Sequence, residues 1–170
     1  AVTAARDAVR AGTIDKAVIA RDLVVSSPDP IDVHAVLLRL RASFGSSYRY
    51  AIDGFVGASP ELLVARDGDV VSSHPLAGTT PRTGDPATDR RLADELLASA
   101  KNQIEHRVVV DVVHDTLLPW ASYLDWEPEA SIIAVANVQH LGTRMEGRLS
   151  HPAPDVITMA RALSPTPALG

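Results

Sequence analysis

Leu62-Leu63-Val64-Ala65-Arg66-Asp67-Gly68-Asp69-Val70-Val71-Ser72-Ser73 is the stretch that decides the fold. Two apolar, β-branched runs flank Asp67-Gly68, a two-residue hairpin signal. The reading is a strand over 62–66, a tight turn, and a strand over 70–73. An antiparallel pair is therefore the seed, and the flanking sequence is read outward from it.

Upstream, 48–53 reads as another short strand. Residues 31–43 carry apolar side chains at 33, 36, 37 and 40, a helical spacing, and Gly45 ends that helix. Residues 16–25 are rich in β-branched types and read as a strand, closed by Ser26-Ser27-Pro28-Asp29-Pro30. Residues 2–11 can form a helix that stops at Gly12.

Downstream, 76–86 holds Gly78, Pro81, Gly84 and Pro86 and reads as a loop. Helices are expected over 89–99 and 101–118, with Pro119 ending the second. Residues 131–138 read as a strand with 143–149 beside it. Pro154 suits the first turn of a last helix, where its missing N–H costs nothing. Ser164-Pro165-Thr166-Pro167 is extended. Strands cluster in pairs and do not alternate with helices, so the expected fold class is α+β, antiparallel β-sheets flanked by helices.

The 170 residues suit one domain, with 46% hydrophobic and 22% charged residues. Aromatics make up only 4%, so the core must be built from Ala, Val, Leu and Ile. A net charge of −5 argues against a nucleic-acid partner. The absence of cysteine excludes disulfides, thiolate metal sites and a cysteine nucleophile. No apolar run reaches the roughly 20 residues needed to span a bilayer. The charged N-terminal stretch does not resemble a secretory signal, so a cytoplasmic location without membrane partners is expected.

Glu61 follows Gly57-Ala58-Ser59-Pro60 at the start of the decisive strand. A carboxylate held there could serve as a general acid if burial raises its pKa. The same spacing also suits a surface glutamate after a turn. Lys16 opens an apolar strand. It becomes a base only if its pKa falls from about 10.4 toward roughly 7–8, and a solvated lysine is the plainer reading.

Leu76-Ala77-Gly78-Thr79-Thr80-Pro81-Arg82 would let backbone N–H groups approach a carboxylate, or be a simple turn. Glu105 and His106 are adjacent on a helix and point about 100° apart, so they would not chelate one ion. His106 and His114 stand about 12 Å apart along the axis, too far for shared ligation. Glu105 alone could hold Mg2+, which accepts one or two carboxylates plus water and substrate oxygens. His140, near a strand end, could donate to a substrate or be structural.

Taken in order, the segments resemble the chorismate-utilising enzymes, with an anthranilate synthase component I-like fold. The resemblance rests on Lys16-Ala17-Val18-Ile19-Ala20-Arg21, Ala58-Ser59-Pro60-Glu61-Leu62 and Pro75-Leu76-Ala77-Gly78-Thr79. It continues through Leu96-Leu97-Ala98-Ser99 with Lys101, Glu105-His106, Gln139-His140-Leu141 and Pro165-Thr166-Pro167-Ala168-Leu169. Lys16, with Ala77 inside the loop, resembles the water-adding isochorismate synthases. Salicylate synthases share Lys16 and Glu61 and are the alternative. Asn102 and Ser164 depart from the family, which commonly has an acidic residue and a histidine there.

The resemblance implies a Mg2+-dependent isomerisation of chorismate. Lys16 would activate water for attack at C2, and Glu61 would protonate the leaving C4 hydroxyl. Glu105 would bind the metal. Gly78, Thr79, His140, Ala168 and Leu169 would line the substrate site. It also implies a partial domain over 1–170, lacking a preceding portion and a later part of the active site. Such a piece is expected to be inert alone and to self-associate through sheet edges.

Overall fold

The computed structural model describes residues 1–14 and 17–168. Lys16 and Leu169 lie outside them. Every strand pairing among the described residues is antiparallel, in three sheets: a β1-β2 hairpin, a four-stranded sheet ordered β3-β4-β9-β6, and a three-stranded sheet ordered β5-β8-β7. Five α-helices among the described residues accompany them, giving the expected α+β class. Among the described residues no helix is long and apolar enough to cross a membrane.

Helix α1 (Val2–Arg10) ends at Gly12, whose φ of +68° supplies the left-handed turn. Residues 17–25 do not form the expected strand. A strand needs a neighbour for its N–H and C=O groups, and none of the described strands pairs with it. Leu23, Val24 and Val25 are instead highly exposed. Helix α2 (Val33–Ser43) starts where Asp32 accepts the N–H groups of His34 and Ala35, at 2.9 and 3.3 Å.

Strands β1 (Tyr48–Ile52) and β2 (Phe55–Ser59) form a hairpin around Asp53-Gly54, both at positive φ. Strands β3 (Leu62–Asp67) and β4 (Val70–His74) form the second. Its turn falls one residue later than expected. Asp67 pairs with Val70, and Gly68, at φ +59°, occupies the first turn position.

The expected loop over 76–86 is instead largely strand β5 (Leu76–Pro81). Gly78, at φ +80°, sits at a register shift between Ala77 and Thr79, so it marks a bulge and not a break. Pro81 is tolerated at the last residue of an edge strand.

Helix α3 (Pro86–Ala98) begins three residues before the expected start because Asp85 caps it, accepting Thr88 N–H at 2.8 Å. Helix α4 (Ala100–Leu117) runs into a short 3-10 turn at Leu118–Trp120. Strand β6 (Ala121–Trp126) was not read from the sequence. The expected strand over 131–138 is two strands, β7 (Ser131–Ala134) and β8 (Val138–Gly142), joined by a turn in which Val135 N–H bonds Val138 C=O. Strand β9 (Met145–Leu149) lies between β4 and β6. Helix α5 (Val156–Leu163) is capped by Asp155, which leaves Pro154 just outside its first turn.

One face of α4 forms the centre of the core. Val109, Val110, Val113 and Leu117 recur at helical spacing and pack with Val71, Leu124, Met145, Met159 and Leu163. Burying each such side chain is worth about 1.5–3 kcal/mol. That packing fixes α4 against the sheets, and its N-terminal turns project beyond the core toward β5.

Candidate active site

The Ser59-Pro60-Glu61 joint between β2 and β3 places Glu61 on the wall of a cavity of about 550 Å³. Glu61 Oε1 accepts the backbone N–H of Leu76 at 3.2 Å, and Glu61 N–H donates to Ser59 Oγ at 3.2 Å. Burial raises the Glu61 pKa above the ordinary carboxylate value, and the Leu76 N–H opposes part of that rise. A carboxyl in this position keeps its proton to higher pH, as a general acid requires.

The bulge in β5 presents Gly78 and Thr79 to the same cavity. A side chain at Gly78 would meet Asn102 and Leu141 at 3.4 Å. Thr79 Oγ1 and His140 Nδ1, paired across β5 and β8, are 3.0 Å apart. Burial lowers the His140 pKa, with a bond to the Gly78 carbonyl working the other way. Burial therefore favours the neutral form of the ring.

Glu105, on α4, lines the same cavity and pairs with Lys101 at 3.1 Å. Lys101 is largely exposed, so this pair is worth only a few tenths of a kcal/mol. His106, one residue on, faces away into the core. Its Nε2 meets Thr143 Oγ1 at 2.8 Å, and burial with the nearby His74 pushes its pKa down to about 4. The expected divergence of Glu105 and His106 is what the helix produces.

Among the described residues no three His, Cys, Asp or Glu side chains are grouped to hold a metal. The cavity instead offers oxygen donors, with Glu105 held only by a weak surface pair. This donor chemistry fits Mg2+, which keeps several waters and takes few protein carboxylates.

Glu61, Gly78, Thr79, Glu105, His140 and Ala168 thus share one cavity, although they come from the β2-β3 joint, β5, α4, β8 and the residues after α5. Ala17, next to Lys16, borders it too. Sequence reasoning missed Leu76, whose N–H positions Glu61. Only the β5 register reveals that contact, and 76–86 reads as loop in sequence.

The sequence pattern of the chorismate binding enzymes matches residues 1–170. The chain is 40% identical over 169 residues to the isochorismate synthase DhbC of Bacillus subtilis, spanning 93% of this chain and 42% of that protein. It is 37% identical over 161 residues to the isochorismate synthase EntC of Escherichia coli K12, spanning 92% of this chain and 41% of EntC. The chain thus spans less than half the length of these relatives. Among solved structures, the menaquinone-specific isochorismate synthase MenF of Escherichia coli superposes with a TM-score of 0.74 at 29% identity, covering 82% of this chain and 33% of MenF. Anthranilate synthase component I of Streptococcus pneumoniae superposes with a TM-score of 0.66 at 25% identity, covering 97% of this chain and 36% of that one.

Proposed function

Because the chain belongs to the chorismate binding enzyme family, we propose that the whole protein is an isochorismate synthase. It would convert chorismate reversibly to isochorismate. The observation that carries this reading is the convergence of six residues, from five separate parts of the chain, on one cavity with a buried acid at its wall. The isochorismate synthase names of several relatives support the choice of reaction.

The reaction adds water at C2 and expels the C4 hydroxyl while the ring double bond shifts. Hydroxide leaves poorly, so Glu61 gives its proton to the departing C4 oxygen. Water attacks poorly, so a base must take its proton. That role is assigned to Lys16 from the family resemblance. Each transfer is worth about 10²–10⁴ in rate. Gly78 and Thr79 bind the substrate carboxylate or the leaving hydroxyl, and Thr79 steadies His140. Ala168 borders the cavity, and the family resemblance assigns Leu169, which lies outside the described residues, to the apolar side of the ring site. Glu105 would hold Mg2+, which when bound would neutralise a substrate carboxylate.

The same reading makes the 170-residue chain inert alone, since it spans less than half of the relatives it matches. The test is incubation of the whole protein with chorismate and Mg2+, with product analysis. Isochorismate as the sole product supports the proposal, and release of pyruvate points to a salicylate synthase. Magnesium-dependent turnover by the 170 residues alone would sink the claim of inertness.

A further inference from the structure

The buried stripe of α4 runs through His106, Val109, Val110, Val113 and Leu117. All but His106 are aliphatic, and aliphatic packing is non-directional. It holds the helix against the sheets without fixing its rotation about its own axis. His106 stands at the N-terminal end of the stripe, and its Nε2 meets Thr143 Oγ1 at 2.8 Å. Both residues are only 3% exposed. Every other side-chain hydrogen bond or ion pair of α4 among the described residues stays within 97–116. The His106–Thr143 bond is therefore the directional tie between α4 and the sheets.

Thr143 sits between β8 and β9, and its backbone reaches toward the other carboxyl of the site. Its N–H donates to the Pro75 carbonyl at 3.3 Å. Pro75 is buried and leads directly into Leu76, whose N–H holds Glu61 Oε1 at 3.2 Å. On the helix side, His106 is the residue after Glu105. Thr143 is thus joined through its hydroxyl to the neighbour of Glu105, and through its N–H to the neighbour of the group that holds Glu61.

The magnitudes show why that tie matters. Side-chain tips stand about 5–6 Å from a helix axis, so a turn of about 20° in α4 would carry the Glu105 carboxyl about 2 Å. Mg2+ takes near-ideal octahedral ligands at about 2.0–2.1 Å, so a displacement of that size removes a ligand. The Glu105–Lys101 pair cannot supply this precision, because both partners lie on α4 and turn with it.

We propose that Thr143 is a positioning residue, which fixes the Glu105 carboxylate relative to Glu61 through its hydroxyl bond to His106. This rests on the isochorismate synthase reading, in which Glu105 holds Mg2+ and Glu61 is the acid. Neither Thr143 nor His106 lines the cavity that these two carboxyls share. Both act through the backbone of α4, without touching substrate or metal.

The test reads the metal affinity of the whole protein, with Mn2+ binding followed by electron paramagnetic resonance and Mg2+ as competitor. Thr143→Val keeps the shape and removes the hydroxyl. His106→Asn lacks an atom at the Nε2 position and cuts the same bond from the helix. Each should raise the Mg2+ Kd about tenfold, the usual cost of losing an outer partner of a metal site. Thr143→Ser should stay within about twofold of wild type. Val109→Ala, in the same stripe, should lower the melting temperature and leave Kd within about twofold. The pH at which kcat falls as Glu61 ionises should not move in Thr143→Val, because the bond to Pro75 is made by the backbone. Unchanged affinity in Thr143→Val or His106→Asn, or an equal shift in Val109→Ala, overturns the proposal and leaves the functional reading standing. Should a variant not fold, a crystal structure of the whole protein with Mn2+ decides: Glu105 on the metal with the His106–Thr143 bond intact supports the proposal, and with that bond open overturns it. Metal affinity that Glu105→Gln does not weaken removes the metal assignment and this proposal together. Mn2+ binding that depends on Glu105, without turnover of chorismate, contradicts the reaction while the positioning of Glu105 stands.

Discussion

The carboxylate of Glu61 accepts the backbone N–H of Leu76 at 3.2 Å, tying the start of β3 to the start of β5 across the cavity wall. One sheet therefore positions the acid and the other holds it. Burial keeps the proton on Glu61 to higher pH than an ordinary glutamate, so kcat of the whole protein should fall as pH rises through that raised value. Glu61→Gln should lower kcat by about 10²–10⁴ with little change in KM, and should abolish that descending limb. A pH–rate profile of both proteins is the check.

His106 sets a pH dependence of stability. Its folded pKa is about 4, against 6.5 in the free side chain. Between those values the unfolded chain binds more protons, so stability rises with pH there and is lost on acidification from 6.5 toward 4. The full difference is on the order of 3 kcal/mol. His74, also lowered by burial, adds in the same direction. Urea midpoints of the 170-residue chain should fall from pH 7 to pH 5. His106→Gln should be less stable at pH 7 but show a flatter pH dependence.

Gly147 permits the close approach of β6 and β9. A Cβ there would lie 2.4 Å from the Tyr123 carbonyl oxygen and 2.9 Å from the Leu124 Cα. Both are backbone atoms, so the strands themselves would have to part. Gly147→Ala should destabilise the chain by about 1–3 kcal/mol or more. Gly45→Ala, whose Cβ would meet only Arg41 O at 3.6 Å, should cost far less. Thermal melts of the two variants compare them directly.

Lys101 competes with the proposed metal for the Glu105 carboxylate. Glu105→Gln should raise the Mg2+ concentration for half-maximal activity by about tenfold or more, equivalent to about 1.4 kcal/mol. Lys101→Ala should lower it by releasing the carboxylate. Activity titrations with Mg2+ distinguish these opposite shifts.

What was legible in the sequence was local. The Gly68 turn, the span of α4 and the stop at Gly12 each depend on a few neighbouring residues, and each was read close to where it stands. What was not legible depends on partners distant in the chain. Strand β5 was hidden because Gly78 and Pro81 are loop punctuation unless β8 pairs alongside. Residues 17–25 have strand composition, yet composition cannot supply a neighbour. The candidate residues were named individually, but their convergence came from β5 register and the placement of α4. The Leu76 contact had no sequence signal, since it joins residues 15 positions apart.

The central claim is tested most directly by the product of the whole protein with chorismate and Mg2+, followed by NMR and compared with Lys16→Ala. The expected result is isochorismate at equilibrium with chorismate, with turnover reduced by about 10²–10⁴ in the variant. No isochorismate from the wild-type protein, or near-normal turnover by Lys16→Ala, would contradict the account.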